Sequence, residues 1–234
     1  MRGACDAAHA MATLVGRLVG TALDAAFPAT CAGCGREGAA ICAACIPALD
    51  ARRGLAGGTP VGLLSDVPAP LLQLDWCAPF DGTVRRALHV LKYGGERRLA
   101  GPLGEAIARR WREVGAGGDL LVPVPVHEAR RRERGYDQAE LIAGVVALVL
   151  GLPLHACLVR RRATEAQFRL GRERRAGNVR GAFVVAGDPR SLQDRWVVLI
   201  DDVVTTGATL AACADALLDA GAVAVSAITV ARER

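Results

Sequence analysis

The chain reads as an α/β protein with a parallel-sheet core and a small N-terminal zinc ribbon built from four cysteines. Three observations predict this. From about Trp76 onward, apolar strand-like runs alternate with segments of helical period. The run Trp196–Ile200 is continuously apolar and ends in two aspartates, the pattern of a strand buried on both faces. Near the N-terminus, Cys31-x-x-Cys34 and Cys42-x-x-Cys45 form two pairs seven residues apart.

Composition supports the core. Hydrophobic residues make up 52% of the chain but aromatics only 4%, so the interior is built from Ala, Val and Leu. That suits helices packed closely on a parallel sheet better than an aromatic-rich β-sandwich. No stretch approaches the roughly 18 uninterrupted apolar residues of a membrane span. Met11–Phe27 is mildly apolar but is interrupted by Arg17 and Asp24, which predicts a short amphipathic helix rather than an export signal. A cytoplasmic location is the expectation.

The organisation follows in order. Residues 1–50 hold the N-terminal helix and the cysteine cluster, 51–75 a Gly-, Pro- and Leu-rich linker, and 76–234 the main α/β domain. Within the last, Val84–Val90 has helical character and Leu120–Val126 is a short apolar run. Ala139–Leu150 is a helix closed by Gly151 and Pro153. Cys157–Arg161 and Ala182–Val185 read as short strands. Thr209–Ala220 is a helix stopped by Gly221, and Val223–Val230 is a further strand.

The formal net charge is +5, and twelve arginines fall between Arg130 and Arg180. Such density suits an anionic partner, either the phosphates of a small molecule or a nucleic-acid backbone, and suits a solvated helix face as well. Lys92 is the single lysine, which points to a position that wants a compact ammonium.

The strongest signal is Val197–Thr209. A buried strand delivers Asp201 and Asp202 to its carboxyl end, where open α/β sheets place ligands. Val203 and Val204 lead into Thr205, Thr206, Gly207, Ala208 and Thr209, a turn that opens a helix. Backbone N–H groups, hydroxyls and the helix dipole there suit a phosphate. The carboxylates suit a diol instead, such as the hydroxyls of a ribose. The run resembles the diphosphoribosyl-binding signature of type I phosphoribosyltransferases. That resemblance implies the corresponding fold, with Asp201 and Asp202 on the ribose hydroxyls and Thr205–Thr209 on the 5′-phosphate. Some members of that group carry an aspartate at the position of Thr205 and use it as a base. Its absence implies an acceptor that brings its own nucleophile, such as ammonia or an amine, or that finds a base elsewhere.

A second anion-suited loop follows the run Leu121–Val126. It contains His127, Arg130, Arg134, Gly135, Tyr136, Asp137 and Gln138, a basic loop leading into a helix start. It is expected to hold the diphosphate, and a charged loop with no ligand fits the same residues. The polar stretch with Arg161, Thr164, Gln167, Leu170, Arg175 and Asn178 is long enough to serve as a closing lid or as a surface hairpin.

Taken together, Leu88–Gly95 with Lys92 and Tyr93, Pro123-Val124-Pro125, Arg134–Gln138, the lid motif and the phosphate loop are similar, in that order, to the ComF-type family of competence-associated, amidophosphoribosyltransferase-like proteins. The resemblance spans nearly the whole chain. It implies 5-phosphoribosyl-1-diphosphate as ligand, Mg²⁺ with it, and a link to DNA uptake through single-stranded DNA or other competence proteins. Phosphoribosyl transfer, ligand sensing without catalysis, and DNA handling are the activities it leaves open. Few aromatics argue against extensive base stacking. The family places Lys92 and Tyr93 near the site edge, and it commonly carries asparagine where this chain has Asp137.

Cys31, Cys34, Cys42 and Cys45 can present four thiolates from two tight turns to a tetrahedral Zn²⁺. Four cysteines leave no open position, so the expected zinc is structural. Gly33 and Gly35 let the backbone curl around the sulfurs. The ComF-type resemblance implies a second set of paired cysteines that this chain lacks; Cys77 reads as a relic of it and alone cannot hold a metal, while Cys5, Cys157 and Cys213 are expected to be unpaired thiols.

Overall fold

The computed structural model describes residues 28–57, 67–114, 117–160 and 181–233. The amphipathic helix expected over 1–27 and the lid residues Arg161, Thr164, Gln167, Leu170, Arg175 and Asn178 lie outside the described residues.

Four parallel strands form the central sheet. They are β1 (Gln73–Pro79), β2 (Leu120–Pro123), β5 (Trp196–Val204) and β6 (Ala224–Arg232), in the spatial order β1-β6-β5-β2. The run Val197–Ile200 is fully buried, as its unbroken apolar character demands, and pairs Val197 with Val225 through Ile200 with Ile228. A separate antiparallel pair joins β3 (Leu158–Arg160) to β4 (Phe183–Val185).

Helices cover both faces. On one lie α1 (Gly82–Tyr93), α2 (Ala100–Glu113) and α4 (Gln138–Leu150), whose Leu88, Leu91, Ile107 and Ile142 pack with Val198, Ile200 and Ile228 of the sheet. On the other, α5 (Ala208–Asp219) and the β3–β4 pair bring Leu210, Leu217 and Phe183 against Val197, Leu199 and Ala227. In α1 the buried positions Val84, Ala87, Leu88 and Leu91 follow the i, i+3, i+4, i+7 spacing of a single apolar stripe. The short α3 (Glu128–Arg134) runs between β2 and α4 and buries none of its residues.

The cysteine segment is joined to this core. Ala29, Ile41 and Leu49 belong to the same apolar cluster as Leu88 and Ile107. Arg86 of α1 donates to the backbone carbonyls of Ala32, at 3.2 Å, and Gly33, at 2.7 Å. The segment beyond residue 50 is fastened by Arg110 of α2, which donates to the carbonyls of Arg52, Leu55 and Ala56. Arg110 and Arg52 meet the buried Asp75 of β1 at 3.0 and 3.4 Å. The Arg52 guanidinium lies 4.0 Å over the Trp76 ring. No helix among the described residues is long and apolar enough to cross a membrane.

Candidate functional site

The sheet itself marks a crevice. β2 lies between β5 and a parallel bridge that joins Leu121 to Leu154, so the connection out of β2 through α4 runs away from β5. The connection out of β5 through α5 runs the opposite way, to β6. Where neighbouring connections diverge, the carboxyl ends of the strands leave an opening between their loops. The loops after β2 and β5, residues 124–137 and 205–207, flank that opening and carry most of the two motifs singled out in the sequence, His127–Gln138 and Thr205–Thr209.

Asp201 and Asp202 end the buried run of β5. Neighbouring side chains on a strand point to opposite faces, so the two carboxylates part. Asp202 turns toward α1 and α4. Its Oδ2 lies 2.6 Å from Lys92 Nζ and accepts from Gln138 Nε2 at 3.2 Å. Asp201 lies on the α5 side and accepts the Asp202 backbone N–H at 2.8 Å. Burial first, then the Asp202 charge, push the Asp201 carboxyl well above its usual range, while Lys92 opposes the shift. Burial, and after it the Asp201 carboxylate, likewise raise the thiol of Cys213 in α5.

Gly207 caps the N-terminus of α5 with φ 77°, the left-handed conformation that favours glycine. A Cβ there would fall 2.7 Å from Pro68 Cγ, so the turn is closed on its outer side by the segment before β1. Thr205, Thr206, Ala208 and Thr209 are exposed around it, and Thr206 Oγ1 accepts from the Ala208 N–H at 3.4 Å. Val203 packs with the core and Val204 is buried, its carbonyl accepting from the Glu233 N–H at 2.9 Å.

The second loop is shaped by Asp137. One oxygen accepts the Ala139 and Glu140 N–H groups at the start of α4, and the other accepts the Val126 N–H at 2.9 Å. A carboxylate beside a diphosphate site would call for a neighbouring arginine or metal, but backbone donors at both ends of the loop occupy this one. Arg134 donates to Gln138 Oε1 at 2.8 Å and lies over the exposed Tyr93 ring at 5.0 Å. A line of contacts therefore runs Arg134–Gln138–Asp202–Lys92 from one loop to the other. Gly135 adopts φ 74° as the cap of α3, and the Tyr136 hydroxyl donates to the Leu91 carbonyl.

Other residues of that loop point elsewhere. His127 Nδ1 accepts the Ala129 N–H at 3.2 Å and caps α3. Arg130 is exposed, as are Arg131 and Arg132, which pair with Glu140 and Glu128. Sequence reasoning passed over Arg97, whose guanidinium lies 4.7 Å over the Tyr136 ring. The basic pair Arg97-Arg98, just after Lys92–Gly95, was the signal that could have found it.

At the cysteine cluster, the sulfurs of Cys31, Cys34, Cys42 and Cys45 all lie within 4.8 Å of one another. Cys34 and Cys42 stand 3.6 Å apart, close to the roughly 3.8 Å edge of a tetrahedron with 2.3 Å metal–sulfur bonds. Cys42 N–H donates to Cys31 Sγ at 3.3 Å. Burial works to raise the Cys31 thiol, but the N–H groups of Cys42, Cys34 and Gly33 outweigh it and bring it down to about 6. A Cβ on Gly33 would fall 2.6 Å from Cys45 Sγ, so glycine is what lets the two turns close. This donor set can hold a metal ion such as zinc. Cys77, Cys157 and Cys213 are buried, free thiols apart from the cluster.

No protein-family model matches the chain. DNA utilization protein YhgH of Escherichia coli strain K12 is 31% identical over 173 residues, covering 71% of this chain and 74% of that protein. Competence protein F of Haemophilus influenzae is 36% identical over 93 residues, 39% of this chain and 41% of its own. Competence protein ComFC of Bacillus subtilis is 34% identical over 114 residues, 48% of this chain and 44% of its own. Among solved structures, glutamine phosphoribosylpyrophosphate amidotransferase from B. subtilis is 22% identical with a TM-score of 0.39, over 55% of this chain and 25% of that one, a likeness too loose to carry an argument. The identity to YhgH, spread over most of both chains, settles the relationship: the chain belongs to the ComF family of competence-associated proteins.

Proposed function

We propose that this chain binds 5-phosphoribosyl-1-diphosphate across the crevice between the loops after β2 and β5. The observation that carries the reading is the line of contacts Arg134–Gln138–Asp202–Lys92, which joins a basic loop to a carboxylate beside a helix N-terminus. In this reading Thr205–Thr209 and the α5 N-terminus take the 5′-phosphate, and Asp201 and Asp202 take the ribose hydroxyls. Arg134 and its loop lie on the diphosphate side. The described residues make no all-protein cage for Mg²⁺, since Lys92 and Gln138 already occupy Asp202 Oδ2 and burial disfavours the charge on Asp201. Magnesium, held chiefly by ligand oxygens as it is in many phosphate sites, would supply charge neutralisation at the diphosphate.

Transfer would break the bond from ribose C1 to the diphosphate oxygen and form one to an acceptor nitrogen. The diphosphate would leave and the acceptor would lose a proton. Thr205 offers no base for that proton, so the acceptor would be a nucleophilic amine or ammonia, or the proton would go to a base elsewhere in the chain. The same residue favours a second reading, a sensor that binds the ligand and changes a partner interaction without turnover. A single-stranded DNA partner would meet the exposed Arg130–Arg132 through its backbone and would leave as salt rises.

The four cysteines would hold one structural zinc, supplying cross-links to a segment too small to fold by its own burial. Calorimetric titration of the zinc-loaded protein with 5-phosphoribosyl-1-diphosphate and Mg²⁺, beside Asp201→Asn/Asp202→Asn, tests the main reading. Binding by the parent that the variant loses is the expected result; no binding by the parent would overturn it. Pyrophosphate release with an amine present then separates enzyme from sensor.

A further inference from the structure

Lys92 is the only lysine among 29 basic residues, and it ends α1. A cation near a helix C-terminus satisfies the dipole while facing solvent, and arginine serves there equally well. Here the ammonium turns inward instead. Its side chain is 21% exposed, and it meets an Asp202 side chain that is 7% exposed at 2.6 Å. The same Oδ2 accepts from Gln138 Nε2. The Gln138 amide is itself oriented, because its oxygen faces the Arg134 guanidinium and its nitrogen faces the carboxylate. A flipped amide would lose both contacts. Oδ2 is thus engaged on two sides, while Asp202 Oδ1 accepts from no described residue.

Charge adds a second strand to the argument. Asp201, Asp202 and Asp137 gather near the carboxyl end of β5, and Asp137 and Asp202 both oppose ionisation of Asp201. Among the described residues, Lys92 is the one cation paired with either member of the Asp201–Asp202 pair. Through its field alone that ammonium would favour any anion in the crevice, so its effect on a ligand without a diol is the discriminating one.

We infer that Lys92 is a positioning residue for the ribose end of the ligand: together with Gln138 it holds the Asp202 carboxylate by Oδ2, leaving Oδ1 to accept from a ribose hydroxyl. The inference rests on the ligand reading above and assigns a role to a residue outside both loops. It makes a prediction that simple charge compensation does not. An ammonium acting only through its field helps every anion in the crevice, whereas one that orients Asp202 matters only to ligands that carry the diol.

Two probes separate these effects, ribose 5-phosphate and inorganic phosphate, titrated into the full zinc-loaded chain as parent, Lys92→Met, Lys92→Arg, Asp202→Asn and Lys92→Met/Asp202→Asn. Lys92→Met is expected to weaken ribose 5-phosphate about ten- to a hundredfold, the usual effect of losing a charged hydrogen bond, and to leave inorganic phosphate unchanged. The double variant should bind no more weakly than the worse single one, since both remove one interaction. Lys92→Arg should recover part of the loss, which shows that a misfolded chain is not its cause. Parallel loss of both probes, or additive effects in the double variant, would overturn the inference. Equal ribose 5-phosphate binding by parent and Lys92→Met would overturn it while leaving the ligand reading intact. A parent that binds phosphate but not ribose 5-phosphate would overturn both.

Discussion

Asp137 accepts the Val126 N–H at 2.9 Å across the loop that separates β2 from α4, while its other oxygen caps α4. One side chain therefore holds both ends of the basic loop. Asp137→Ala would free the Val126 donor and the first N–H groups of α4, and a destabilisation of about 2–3 kcal/mol is expected from the lost cap and loop bond together. Asp137→Asn keeps an oxygen for one end and should lose about half as much. Urea unfolding of the two variants checks the order; equal stability of parent and alanine variant would show the bonds to be dispensable.

Gly207→Ala meets two obstacles that a second substitution separates. The φ of 77° disfavours any side chain, and the new Cβ would lie 2.7 Å from Pro68 Cγ. The backbone part alone is worth about 1–2 kcal/mol. Pairing it with Pro68→Ala should recover the steric part and leave the conformational part, so the double variant falls between parent and single variant in Tm. Phosphate affinity should fall in the single variant as the turn deforms.

The buried cluster of Asp75 with Arg52 and Arg110 ties the segment after the cysteines to β1. Asp75→Asn removes the shared anion and leaves two guanidinium groups buried together, a loss of about 3–5 kcal/mol. Arg53→Ala is the contrast, since its partner Glu113 is met by a side chain 71% exposed, and its effect should stay below about 1 kcal/mol. Thermal unfolding of both variants reads the difference directly.

Zinc content follows from the sulfur geometry. Elemental analysis should find one metal ion per chain, lost in Cys34→Ser and retained in Cys77→Ser, because Cys77 is buried in β1 away from the cluster. Chelation should lower Tm. It should also loosen Ala29, Ile41 and Leu49 from the core, which hydrogen exchange at those amides would show.

These features differ in how far the sequence exposed them. The strand at Val197–Ile200, the helix from Ala139 and the four clustered cysteines follow from local periodicity and spacing, and the structure forms each of them. Pairing of Lys92 with Asp202 joins residues 110 positions apart and depends on how α1 crosses the sheet, so local pattern could mark each partner but not the contact. The Gly-, Pro- and Leu-rich composition of 51–75 places Asp75 at the end of a linker. It is nonetheless a strand residue, since β1 begins at Gln73 and its polar side chain is compensated by arginines from remote segments. The parting of Asp201 and Asp202 to opposite faces follows from strand geometry alone, but which face each meets required the helices.

Asp201 gives a pH dependence whose sign can be worked out. Burial, then the Asp202 charge, raise its folded-state pKa above the unfolded value near 3.9. Between those two values the folded chain binds more protons at this site than the unfolded chain does, so this group's contribution to stability declines as pH rises through that window. Above the raised value the carboxylate is ionised in a setting that disfavours it, and the penalty is constant. Asp201→Asn carries no proton to lose. It should therefore be more stable than the parent at neutral pH, and the advantage should shrink as pH falls toward the unfolded value. Unfolding free energies of parent and variant across that range provide the check, and a gap that widens on acidification would mean that Asp201 is stabilised as the carboxylate. Should the same variant also fail to bind 5-phosphoribosyl-1-diphosphate that the parent binds, the folded state would be carrying an unfavourable charge at the position that binding needs, as functional sites commonly do.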